Sequence, residues 1–159
     1  MKKVFILLGE PTIDMPVKGK DAAGNSATIT AVFKRYNAER TEELLAKVIP
    51  LANAIEVSGN LEAAIAILKQ EIVAVKGVTL FDMETLKPVV MIEDTRTLKV
   101  PSVLQEAYEY APWELGPDTC LAFLLDLYLA TPAWGAAFIK AFFAVHNNDV
   151  SYIESLAGN

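Results

Sequence analysis

Between residues 119 and 145 the chain carries only two charged side chains, Asp126 and Lys140. An apolar stretch of this length must leave water, either in a bilayer or in a protein core. A spanning helix needs about 20 predominantly apolar residues, and Pro132 and Gly135 divide this stretch into two pieces of about a dozen each. The spacing therefore predicts two buried helices packed as a hairpin. Leu121, Leu124, Leu125 and Tyr128 recur at helical intervals along the first, and Trp134, Phe138, Ile139, Phe142 and Phe143 line the second. Thr131-Pro132 reads as the restart between them, a capping hydroxyl followed by proline at the first helical position.

The N-terminal quarter carries β signals instead. Residues 4–8 are β-branched and aromatic with no helix start, residues 27–33 alternate Thr28 and Thr30 against Ile29 and Ala31, and residues 13–17 add a short strand. Pro11, Pro16, Gly19 and Gly24-Asn25 punctuate the connection. Asn37 or Thr41 then caps a helix whose first turn holds Glu42 and Glu43 and whose inward stripe is Leu44, Leu45 and Val48, with Pro50 interrupting it. Asn60 caps a second helix bearing Leu61, Ala64, Ile65 and Leu68. Over residues 72–92 a helix running into a turn and a short strand pair fit equally well, because short apolar runs do not distinguish them. Pro101 suits the first turn of a helix covering residues 103–110, and residues 150–156 add a last short one. The expected class is α+β: a small antiparallel β unit over residues 1–36 and a mainly α-helical body over residues 37–159, within a single domain.

Apolar residues make up 53% of the chain and the mean hydropathy is +0.31. Ordinary domains hold roughly 45–50% apolar residues, so the surplus must be buried internally or against a partner. Of the formal charge of −6, residues 1–40 hold seven basic and four acidic side chains, against seven and sixteen in the rest. An acidic body repels phosphate backbones, which argues against a nucleic-acid partner. Lys18, Lys20, Lys34 and Arg35 read as solvated strand and turn positions. Lys2-Lys3 before residues 4–8 imitates a signal peptide, but five apolar residues fall short of the 7 to 15 of such a segment. One cysteine and one histidine give no intramolecular disulfide and no zinc cluster, a composition that fits a reducing cytoplasm.

No catalytic residue, metal site or cofactor is expected. His146 stands at a helix end, where an imidazole meets the last carbonyls, and Cys120 lies in an apolar helix as a small core residue. The carboxylate pairs Asp82/Glu84 and Glu93/Asp94 fit solvated turns and match no metal-loop pattern. Asp126 sits among Phe123, Leu124, Leu125, Leu127, Tyr128 and Leu129, so it either marks the solvent edge of its helix or meets a cation.

Three patches carry a family resemblance: Ala31-Val32-Phe33-Lys34-Arg35-Tyr36 leading to Arg40-Thr41-Glu42-Glu43-Leu44; Val75-Lys76-Gly77-Val78 followed by Asp82 and Pro88; and Leu125-Asp126-Leu127-Tyr128 with Pro132 and Phe138. In their order the chain resembles the tail assembly chaperones of long-tailed bacteriophages. The resemblance implies a cytoplasmic protein of the infected bacterial host, absent from the mature virion. Such a protein coats the apolar helical tape measure protein, keeps it soluble and recruits tail tube subunits. A chaperone for an amphipathic helix needs apolar grooves, for which Trp134, Phe138, Phe142 and Phe143 are the candidate anchors, with Asp126 and Tyr128 beside them. Exposed stripes of that kind also favour a homo-oligomer. Two other readings compete. One is a small regulator that binds a single host protein through its acidic helical surface. The other is an enzyme whose Asp82, Glu84, Glu93 and Asp94 converge.

Overall fold

A computed structural model describes residues 11–21, 24–36, 38–58, 62–97, 113 and 115–146. Their order is β1 (Thr12–Lys20), β2 (Ser26–Lys34), α1 (Ala38–Ser58), α2 (Glu62–Glu71), β3 (Ile72–Phe81), β4 (Pro88–Asp94), α3 (Pro117–Ala130) and α4 (Pro132–His146). The strands form one antiparallel sheet in sequence order, β1-β2-β3-β4, so the class is α+β.

β1 and β2 pair along their whole length, from Thr12 opposite Lys34 to Lys20 opposite Ser26. Side chains alternate across a strand, so Ile13, Met15 and Val17 share one face with their partners Phe33, Ala31 and Ile29. That face is apolar and α4 lies across it; the Phe33 and Phe142 rings meet at 6.3 Å. The opposite face shows Asp14, Lys18 and Thr28 to water, and Asp14 takes the Lys76 ammonium at 2.7 Å. Phe33, Phe138, Phe142, Met15, Leu68, Leu124, Leu125 and Leu129 are fully buried. Each such side chain contributes roughly 1.5–3 kcal/mol relative to exposure, so this sheet-on-helix layer is the main source of stability.

The two open alternatives at residues 72–92 resolve to strands. Ile72, Val73, Val75 and Val78 are stiff at χ1 and suit a pleated surface better than a helix. The sheet therefore continues beyond residue 36, into the stretch expected to be a helical body. β1 extends well past the short strand expected at 13–17. The strand expected at 4–8, the helices at 103–110 and 150–156, and the caps Asn37 and Asn60 lie outside the described residues.

Three local expectations differ from what forms. α1 runs on through Pro50, which removes a single N–H donor from a long ladder. The Thr131 hydroxyl donates back to the Leu127 carbonyl at 3.4 Å, closing α3 rather than capping α4, while its own carbonyl accepts the Gly135 N–H at 2.8 Å. Between α3 and α4 the chain bends by 110°, an elbow rather than a hairpin reversal. Among the described residues no single helix is long and apolar enough to cross a membrane.

Candidate functional site

β2 and β3 pair over only part of their lengths. Their register runs from Phe33 opposite Ile72 to Thr30 opposite Lys76 and stops there. Beyond that point β2 stays with β1 and β3 stays with β4. Gly77 stands at the fork with φ +72°, a left-handed backbone that side chains with a Cβ resist. The two hairpins therefore part, and the gap is a cleft of about 620 Å³.

Ala27, Thr28 and Ile29 line it from β2, and Gly77, Thr79, Leu80 and Phe81 from β3. The α3–α4 elbow contributes Leu127, Tyr128, Thr131 and Trp134, the end of β1 contributes Lys20, and the turns contribute Asp21 and Met83. Trp134 is fixed in place: its Nε1–H donates to the Lys20 carbonyl at 3.0 Å and its ring lies directly on Gly19. Tyr128 meets Trp134 edge-on at 4.8 Å, and burial pushes its phenol up to about 12. Against this fixed aromatic surface three large apolar side chains stay in water: Phe81 is 36% exposed, Leu127 47% and Met83 92%. A cavity of this size and lining matches the range in which proteins hold apolar ligand groups.

Of the six side chains singled out for partner binding, Trp134 and Tyr128 line the cleft. Phe138 and Phe142 are fully buried against the sheet and offer a partner no surface in this fold. Phe143 is half-buried and packs edge-on against Phe142 at 5.7 Å. Asp126 is solvent-facing and also ion-paired, with Lys69 of α2. Sequence reasoning missed Phe81, Met83 and Leu127. The signal for Met83 was a large apolar residue inside the Asp82-Met83-Glu84-Thr85 turn, where the Asp82 carboxylate accepts the Glu84 and Thr85 amides at 2.8 and 3.0 Å.

A second cluster lies where β2 leads into α1. The Tyr36 hydroxyl donates to Glu71 at 2.8 Å, and burial together with that carboxylate pushes it up to about 12. His146 stacks on Tyr36 at 6.1 Å and packs against Phe142 at 4.6 Å. It ends α4 as expected, but its Nε2 has no hydrogen-bond partner, and burial pulls it down to about 4. This is a neutral, wedged imidazole rather than a carbonyl cap. Cys120 is buried core, as read, and burial pushes its thiol up.

Asp94 pairs with Arg96 at 3.0 Å and Asp82 holds its own turn. Among the described residues no three His, Cys, Asp or Glu side chains converge as a metal site would require. What the cleft offers chemically is apolar surface and strand edges. No protein-family model, no curated protein and no solved structure matches the chain.

Proposed function

We propose that the chain is a protein-binding module that holds an apolar client segment in the cleft between its two hairpins. In this reading it acts as a tail assembly chaperone: the tape measure protein is the client, and tail tube subunits are the partners that displace it. The carrying observation is the exposure of Phe81, Met83 and Leu127 around one cleft with a fixed aromatic wall. Fully covering a side chain of this kind contributes roughly 1.5–3 kcal/mol. One site is then a weak holder, and a long client bound by many copies gains the rest by avidity.

The test is an affinity capture of the tagged chain from cells that also express its neighbouring genes, with partners identified by mass spectrometry. A very long, helix-rich protein is expected, and Leu127→Asp is expected to lose it without lowering the melting temperature, since Leu127 already faces water. Recovery of one host enzyme would overturn the chaperone reading in favour of the regulator. Recovery of the chain alone would overturn both.

A further inference from the structure

The cleft is bounded by strand edges as well as side chains. A strand directs its N–H and C=O groups alternately to its two neighbours. β3 meets β4 on one side through Phe81, but on the other side it has lost β2 beyond Lys76. The β2–β3 register holds no pair between residues 26–29 and residues 77–81. Buried or half-buried backbone groups are almost always paired in native proteins, so an edge left open inside a cleft invites a strand.

The charges at the mouth favour one kind of strand. Asp21 is committed to its own turn, accepting the Asn25 amide at 2.9 Å. Lys20 is exposed at the same end of the cleft, since Ser26 is its partner and the β2–β3 register, if continued, would bring Ser26 level with Leu80. Lys20 is not a member of the ion pairs Lys69–Asp126, Lys76–Asp14 or Arg96–Asp94.

Building on the protein-binding reading above, we propose that the client segment enters the cleft extended. It pairs antiparallel with the open edge of β3 over residues 77–81, packs alternate apolar side chains on Leu127, Tyr128 and Trp134, and sets an acidic residue at its N-terminal end against Lys20. Antiparallel pairing places that end beside Phe81, where the lysine is.

The test uses the full chain and an acetylated, amidated peptide, Glu-Val-Thr-Val-Thr-Val. Two derivatives carry N-methyl groups on alternate amides in opposite phases. Amide chemical shifts of residues 77–81 are expected to move with the parent peptide. One methylated phase is expected to weaken binding about tenfold, because it removes the amides that face β3, while the other stays within about twofold. Lys20→Gln is expected to weaken the parent peptide about threefold at low salt and to leave a Gln-for-Glu peptide unchanged. Equal binding by both phases would overturn strand addition and leave a cleft that grips side chains, with the protein-binding reading intact. No shift at residues 77–81, in a chain that still recovers its client through Leu127, would overturn strand addition alone. No shift and no client would overturn both.

Discussion

Two residues set tolerances that are measurable singly. Gly19 lies under the Trp134 indole, where an added Cβ would sit 2.7 Å from ring carbons. The ring cannot slide away without losing its bond to the Lys20 carbonyl, so Gly19→Ala is expected to cost about 1–3 kcal/mol in urea unfolding and to red-shift the tryptophan emission. His146 carries a pH dependence whose sign follows from its burial. Its folded pKa of about 4 lies below the ordinary 6.5, so the unfolded chain takes the proton first. The stability of the neutral, wedged form is complete above about 6.5 and is lost as pH falls towards 4, amounting to roughly 3 kcal/mol at full extent. Melting curves between pH 7 and pH 4 are expected to show that loss in the wild type and a flatter response in His146→Phe. Parallel curves for the two proteins would show that the imidazole is not the group responsible.

Among the elements, α4 is the one the sheet depends on. Phe138 and Phe142 stand on its inner face at 0% exposure, and Phe142→Ala is expected to cost about 3–5 kcal/mol by denaturant unfolding, against little for Leu127→Ala on the outer side of α3. The contrast also shows what the sequence made legible. The apolar run broken at Pro132 announced two buried helices, and the alternation of Thr28, Ile29, Thr30 and Ala31 announced β2, because both patterns are local. Residues 72–81 were ambiguous because short apolar runs do not distinguish helix from strand until a partner strand is known. The stripe on α4 was visible, but a stripe does not say whether the chain's own sheet or a client covers it; here β1 does. The cleft itself could not be read at all. It exists because β2–β3 pairing stops at Thr30 and Lys76, a relation between residues far apart in the chain, with Gly77 and its left-handed backbone standing where the register ends.

At the scale of the molecule, the apolar surplus has two destinations. Among the described residues, apolar side chains fill the layer between sheet and helices, and Phe81, Met83 and Leu127 gather exposed at the cleft. Surface of that kind draws copies together, and the formal charge of −6 opposes that at neutral pH. The sequence isoelectric point is about 4.8, so the repulsion weakens as pH falls towards 5 while the apolar surface is unchanged. Sedimentation velocity is therefore expected to show reversible self-association that strengthens from pH 7 to pH 5. A Met83→Ser, Leu127→Ser double variant, which removes apolar surface without altering charge, is expected to stay monomeric at both. Parallel thermal melts separate this from the weakening through His146, because unfolding would affect both proteins alike. If the double variant associates as the wild type does, contact between copies runs through other exposed apolar residues such as Met91 or Leu115. The cleft would then be open to a client even in the assembled form, and chaperone and oligomer would use separate surfaces.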